Sequence, residues 1–592
     1  MAVHSDWPSI GTVVGNTSTD SYTFILRSMR AKLGDIVASK LTIPAEESTQ
    51  RANVLVWGRI TSISRFNPFF PAEAAQELAN EGLSLIDTVL SNTRDQLEAQ
   101  VLVLGATADT NEGVLSLSPL TYPVQPSSHV LQPPAESVLR LLTGDSTQRA
   151  KLRIGTLIGR SDVPVSISAK EVVSRHLAIL AMTGGGKTVA ARRVLRELIG
   201  LRYPLVIFDP HGDYLGFYEK RAQLDGADVK LFYPKIRVDD EVRDTVADLI
   251  QKLGAKLTEA QLPFHQYLIS ATRASPNMTA ATFLEAMISF ASNIIAKKSK
   301  KDEHMPEELN AVRDSSMQVV ARNLRNVHAT LKTMETNNER LRGRFPEFVF
   351  SEMPDPKRDP EKIVAPGQVS IFYLAGYDHL AQSTIVSIVL ESLFAHRATL
   401  TDDIPPFQAV VEEAHNFIPS RSEGTEDTPS LATIRKVITE GRKFGTGLIL
   451  ISQRPARLDE TTLAQCNSFL VLRLVNPRDK NFVRSVMENL SEDDASILQS
   501  FGPGQGLVSG QAVRFPLLVK IAFDQDLISK AIGDEDFLDV VARWKPPVRQ
   551  TKKADNSRLV AALPRSEKSE KPGGKVKAVR RSPKGRKVRP DF

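Results

Sequence analysis

A single cysteine, Cys466, occurs in the 592 residues. That excludes an internal disulfide framework and any zinc site built on several thiolates, and it fits a reducing compartment. The ten histidines are scattered and form no two-histidine helix motif, which argues against a zinc enzyme. Long apolar runs are missing as well. Stretches such as Leu177–Met182 and Leu448–Ile451 fall far short of the ~18 residues of a membrane span. The opening Met1–Pro8 has neither the basic start nor the apolar stretch of a secretory leader. The expectation is a soluble, cytoplasmic protein without membrane attachment. With 41% hydrophobic and 24% charged residues, the chain has the composition of a globular protein of several domains.

Positive charge is unevenly spread. Residues 551–592 hold 14 Lys and Arg against 4 Asp and Glu, a net of +10, so the formal +6 of the whole chain leaves −4 for residues 1–550. This tail is rich in Lys, Pro, Gly and Ser and poor in large apolar side chains, so burial cannot offset the entropy of ordering it. A basic disordered tail is expected, either a nucleic-acid arm working by counterion release or a solvated extension.

The first 150 residues read as short, β-branched strands. These are Gly11–Gly15, Ser21–Leu26, Asp35–Ala38, Val54–Ile60 and Gln100–Leu104, with a helix near Ala72–Asn80, and they suggest a small β-barrel. After the proline-containing connector 123–135, residues 151–550 alternate strand and helix, the pattern of an α/β core with a parallel sheet. A helical insertion, about 242–342, interrupts it. The cluster Lys297–Lys301 within that insertion reads as a solvated loop.

The strongest chemical signal is the run from His176 to Thr188. An apolar strand, Leu177–Leu180, enters a glycine-rich loop with Thr183, Gly184, Gly185 and Gly186, then Lys187, Thr188 and Val189 open a helix. This is the P-loop arrangement. Glycines let successive N–H groups wrap phosphate, Lys187 reaches the outer phosphates, and Thr188 supplies a hydroxyl to Mg²⁺. ATP and Mg²⁺ are therefore the expected ligands. Ala181 stands where the usual first glycine would be.

Such a loop needs a carboxylate across the sheet. Two strand ends offer one: Pro204–Asp209, continuing to Tyr214, and Phe407–Val411 followed by Glu412, Glu413, Ala414 and His415. Glu413 is assigned to polarising the attacking water and Glu412 to the metal. Because neighbouring strand residues face opposite ways, only one of the two need face the phosphate unless the strand has already ended. Asp209 either serves the active site or caps the turn after it. Gln453, ending the strand Gly447–Gln453, is placed to sense the γ-phosphate or to finish the strand with a hydrogen bond. Arg442 and Lys443 end a helix and Arg175 leads into the P-loop strand; each arginine is either a helix-end or surface cation or a guanidinium supplied to a neighbouring subunit.

Taken together, AMTGGGKT, FDPHGDY, VVEEAHNFIP and EGRKFGTGLILISQRP, in that order after a β-barrel, resemble the HerA family within the HerA–FtsK group of P-loop motors. The resemblance spans roughly residues 10–545. It implies an N-terminal barrel on a RecA-like P-loop ATPase core with a helical insertion, six subunits ringed around double-stranded DNA, and ATP bound between neighbours. It matches Lys187 and Thr188 to the phosphate and Mg²⁺ residues, Glu413 to the catalytic glutamate and Asp209 to an acidic residue after the second strand. Gln453 matches the sensor, and Arg442 and Arg175 match basic residues presented to the adjacent site. It further implies a closing β-hairpin near residues 501–516, with strands flanking Ser509–Gly510. The family's nuclease partner is of NurA type in DNA-end processing or a sirtuin-type or nuclease effector in antiphage defence. The loop 420–430 is a candidate for the ring's pore. An ATP-gated scaffold that assembles a nuclease with little translocation is the competing reading. A conjugation-type coupling ATPase is disfavoured because no N-terminal membrane helices are present.

Overall fold

The computed structural model describes residues 7–529 except 28, 45–50, 67–95, 109–116, 145–149, 239–248, 255–256, 274–277, 301–305, 400–402, 421–427, 488–489 and 491, together with 541–542 and 544. The first of two compact units, Met1–Gly533, holds every element below. The expected helix at Ala72–Asn80, the basic tail 551–592, the first part of the insertion and most of the loop 420–430 lie outside the described residues.

Six strands close a barrel: β1 (Ser9–Val14), β2 (Ser21–Leu26), β3 (Ile36–Pro44), β4 (Arg51–Phe66), β5 (Gln96–Ala108) and β6 (His129–Leu131), in the order β1-β2-β5-β4-β3-β6. Strict alternation explains it: Tyr22, Phe24 and Leu26 point into the barrel core while their neighbours are only half buried. All five strands expected from the sequence are present.

The remaining strands are β7 (Lys151–Leu157), β8 (Pro164–Ser168), β9 (Leu177–Leu180), β10 (Leu205–Asp209), β11 (Asp228–Tyr233), β12 (Arg237–Val238), β13 (Met278–Thr279), β14 (Phe350–Glu352), β15 (Gln368–Tyr373), β16 (Phe407–Val411), β17 (Thr446–Ser452), β18 (Ser468–Leu472), β19 (Gln505–Gly510) and β20 (Leu517–Ile521). All but β12 and β13 join one sheet ordered β14-β11-β15-β10-β16-β17-β9-β18-β19-β20-β7-β8. The pairs from β14 to β18 are parallel and those from β18 to β8 antiparallel.

The central strands are buried at every position and mostly apolar because both faces are covered. Ala178, Leu180, Val206, Phe208, Ala409 and Val411 enter the core on one face, and Leu177, Ile179, Leu205, Ile207 and Val410 enter the core on the other. The expected α/β core with an N-terminal barrel is the observed fold. Between β11 and β14 the insertion supplies helices Leu262–Ala271, Ala280–Ser299 and Asp314–Arg344.

Two local expectations change. Lys297 and Lys298 belong to the last turn of helix Ala280–Ser299, not to a solvated loop, and Lys298 Nζ donates to the carbonyl of Leu309 at 3.0 Å, where a cation favours the helix end. The closing hairpin exists, but Ser509–Gly510 are the end of β19, paired with Ser468 and Phe469 of β18, and the turn is 511–516.

A buried ion pair fastens barrel to core. Arg59 of β4 and Asp494 of helix Glu492–Ile497 meet at 2.7 Å with side chains 0% and 1% exposed.

Candidate active site

The P-loop emerges from β9, and helix Lys187–Gly200 follows it. Gly186 occupies the N-cap with φ +94°, and a Cβ there would lie 2.9 Å from the backbone nitrogen of Gly504, so glycine is required on both counts. No side chain caps this helix start, which leaves its first N–H groups aimed into the loop for an anion. Ala181 is fully buried and has no left-handed backbone, so its position does not demand the missing glycine. Thr183 and Gly184 are exposed, Gly185 is buried, and Thr188 and Val189 are half buried on the first turn.

Lys187 reaches across to the strand-end carboxylates. Its Nζ lies 2.5 Å from Glu413 Oε1 and 2.8 Å from Glu412 Oε1. Both glutamates therefore face it. The strand alternation that would have turned one away stops at Val411, and Glu413 takes a left-handed backbone, φ +52° and ψ +47°, that swings its side chain to the same side as Glu412. A non-glycine residue there is strained, and such strain concentrates at functional sites.

The electrostatics follow from burial. Glu412 is 0% exposed, and desolvation pushes its carboxyl up against the opposing pull of Lys187 and Tyr214. Desolvation alone would lower Lys187, but the two carboxylates outweigh it and hold the ammonium above the usual lysine range. The Lys187–Glu412 contact is an ion pair without hydrogen-bond alignment, and neither Glu412 Oε1 nor Glu413 Oε2 has an aligned donor. Two buried carboxylate oxygens short of donors beside an uncapped helix start fit a site for a phosphate-bound divalent cation.

Gln453, the residue after β17, accepts a hydrogen bond from Thr183 Oγ1 at 2.7 Å, so strand end and P-loop are joined directly. His415 Nδ1 lies 3.3 Å from Glu413 Oε2 and 3.2 Å from Ser452 Oγ. Burial pushes this imidazole down to about 4, so it is neutral at pH 7.

Asp209 takes the turn-capping place among its expected alternatives. Oδ1 accepts the N–H groups of His211, Gly212 and Asp213, and Oδ2 that of Tyr214. Burial, reinforced by Asp213, pushes its carboxyl up to about 7.

The two arginines stand apart. Arg442 is exposed on the last turn of helix Pro429–Phe444, ahead of β17, while Gln453 follows β17. Seven strand residues at ~3.3 Å each put roughly 20 Å between those strand ends. Arg175 likewise precedes β9, with Nε on Glu171 at 3.0 Å and Nη1 on Gln511 Oε1. Both lie at the end of the sheet opposite their own P-loop.

Tyr214 and His415 were not singled out from the sequence. Each sits in a quoted motif, FDPHGDY or EEAH, but no spacing rule marks a residue that contacts an acid rather than carrying one.

A P-loop in this order of parallel strands, with acids at the neighbouring strand ends, defines an α/β P-loop ATPase. Residues 152–393 match the family model for the central domain of helicase HerA. Along most of its length the chain is similar to the DNA double-strand break repair helicase HerA of Pyrococcus furiosus, 26% identical over 586 residues, covering 90% of this chain and 96% of that protein. It is also similar to the protein of that name from Saccharolobus solfataricus, 28% identical over 408 residues, 67% of this chain and 73% of that one. The chain is thus similar to HerA helicases along most of its length, and its residues 152–393 to their central domain. Among solved structures, VirB4 of Thermoanaerobacter pseudethanolicus matches at 14% identity and TM-score 0.41, covering 64% of this chain and 98% of that one.

Proposed function

We propose that the chain is an ATP-driven DNA translocase or helicase, working on double-stranded DNA as a ring of six with a nuclease partner. The observation that carries the ATPase part is Lys187 wedged between two buried glutamates at the mouth of an uncapped helix. The DNA part is supported by likeness, along 90% and 67% of the chain, to two relatives named as DNA double-strand break repair helicases.

In the resting chain Lys187 neutralises Glu412 and Glu413. Phosphates of ATP entering the loop compete for that ammonium and for the N–H groups of residues 186–189. Once Lys187 turns to phosphate, Glu413 is free to accept a proton from water, with the neutral His415 beside its second oxygen. Thr188 and Glu412 would hold Mg²⁺, which when bound supplies positive charge to the phosphate oxygens. Gln453, tied to Thr183, follows the state of the loop. Arg442 and Arg175, at the far end of the sheet, act on the neighbouring subunit's ATP, which makes hydrolysis depend on assembly. The partner is a NurA-like nuclease or a sirtuin-type effector, and the place of work is the cytoplasm.

ATP-dependent displacement of a protein roadblock from linear duplex DNA tests the motor. Displacement that needs ATP and is lost in Lys187→Ala is the expected result. Assembly of a nuclease without any displacement would instead establish an ATP-gated scaffold.

A further inference from the structure

The FDPHGDY motif is only partly used by the site as described. Asp209 is fully buried, yet it makes no hydrogen bond to Lys187, and its oxygens are taken up by four successive N–H groups, those of residues 211–214. A carboxylate spent in this way shapes a turn. Gly212 sits in that turn at φ +88°, where a side chain would be strained. The turn is fastened to the P-loop helix by Arg192, whose Nη2 and Nε donate to the Asp213 carbonyl at 2.6 and 3.0 Å.

The turn delivers Tyr214. This ring is fully buried and stacks against Phe217, with centroids 6.1 Å apart. Its hydroxyl donates to Glu412 Oε2 at 2.5 Å. A short bond from a neutral donor to a buried carboxylate is of the strong, charge-assisted kind. Glu412 is thus gripped from two sides, by Lys187 at one oxygen and Tyr214 at the other, whereas Glu413 has Lys187 and the more distant His415.

The two grips differ in permanence. Lys187 must leave for phosphate when nucleotide enters, and Tyr214 has no such competitor. After Lys187 turns away, Glu412 stays pinned through a bond that originates in the Asp209 turn, and Glu413 is released. That difference divides two adjacent glutamates with otherwise identical chemistry into a fixed one and a free one.

We propose that Tyr214 is a positioning residue for Glu412, held in place by the Asp209-capped turn, and that this pinning assigns Glu412 to the cation and leaves Glu413 as the base. The inference rests on the ATPase reading above. The test is Tyr214→Phe in the full-length chain, alongside Glu412→Gln and the double variant, with wild type and Lys187→Ala as controls. The ring and its stacking survive the substitution, so the variant should fold with a melting temperature lowered by only a few degrees, roughly what one hydrogen bond to a buried carboxylate contributes, and Mg²⁺-free binding of a fluorescent ATP analogue should stay within about twofold of wild type. The gain in analogue affinity on adding Mg²⁺ should shrink, and the rate at saturating Mg²⁺-ATP should fall roughly ten- to a hundredfold, the worth of a hydrogen bond to a buried charge. In the Glu412→Gln background the further loss should be under about twofold, because both changes break one linkage.

Multiplying losses in the double variant, wild-type rate and Mg²⁺ response in Tyr214→Phe, or failure of that variant to fold would each overturn the inference. If wild type itself does not hydrolyse ATP above Lys187→Ala, the ATPase reading fails first, and the two failures are told apart.

Discussion

Replacing Glu413 by glutamine is expected to move nucleotide binding and hydrolysis in opposite directions. In the resting chain Lys187 lies 2.5 Å from Glu413 and 2.8 Å from Glu412, and an incoming phosphate has to part both contacts. Glutamine keeps the volume and an acceptor oxygen but removes the charge at the nearer contact. A hydrogen bond to a charged group contributes about 1.5–3 kcal/mol. Losing the lower figure from the resting state alone would tighten ATP binding about tenfold. Hydrolysis should fall by roughly 10²–10⁴, the usual contribution of a positioned general base. Titration with a fluorescent ATP analogue reads the first effect and phosphate release at saturating ATP reads the second. Binding that weakens together with turnover above about a tenth of wild type would refute the reasoning, and the base would have to be sought elsewhere.

Arg59→Met should destabilise the contact of barrel and core by about 3–5 kcal/mol, because it removes a fully buried guanidinium that lies 2.7 Å from the Asp494 carboxylate, itself 1% exposed. Arg59→Met with Asp494→Leu should recover most of that loss in urea unfolding followed by fluorescence of the buried Trp57, and a double variant as unstable as the single would contradict it. For His415, folded at about 4, the unfolded chain binds a proton between pH 6.5 and 4 that the folded one refuses. Its neutral ring therefore contributes fully above about pH 6.5 and progressively less towards pH 4. The melting-temperature advantage of wild type over His415→Gln should narrow across that window, and a gap that widens on acidification would show the sign to be wrong.

What the sequence made legible was local. The strand, glycine loop and helix around Lys187 announce themselves within a dozen residues, and the barrel strands carry their own alternation. The acids at the ends of β10 and β16 were visible because an apolar run stopping at a carboxylate is itself a pattern. The placement of those acids was not visible. It depends on one backbone angle at Glu413, which no residue type there predicts, and on a turn that draws the Asp209 oxygens onto four N–H groups. Tyr214 meets Glu412 across 198 positions and Arg59 meets Asp494 across 435, so neither pairing leaves a trace in spacing. Arg175 could be placed before the P-loop strand from its position, and its pair with Glu171 is a local i,i+4 contact, but its engagement with Gln511 needs the hairpin turn to fold back beside it.

The central claim, a Lys187-dependent ATPase coupled to DNA, is tested most directly by steady-state ATP hydrolysis with and without linear duplex DNA, using Lys187→Ala as the blank. The account predicts hydrolysis stimulated several-fold by duplex and abolished in the variant. Full activity in Lys187→Ala, or Lys187-dependent hydrolysis indifferent to DNA, would contradict it.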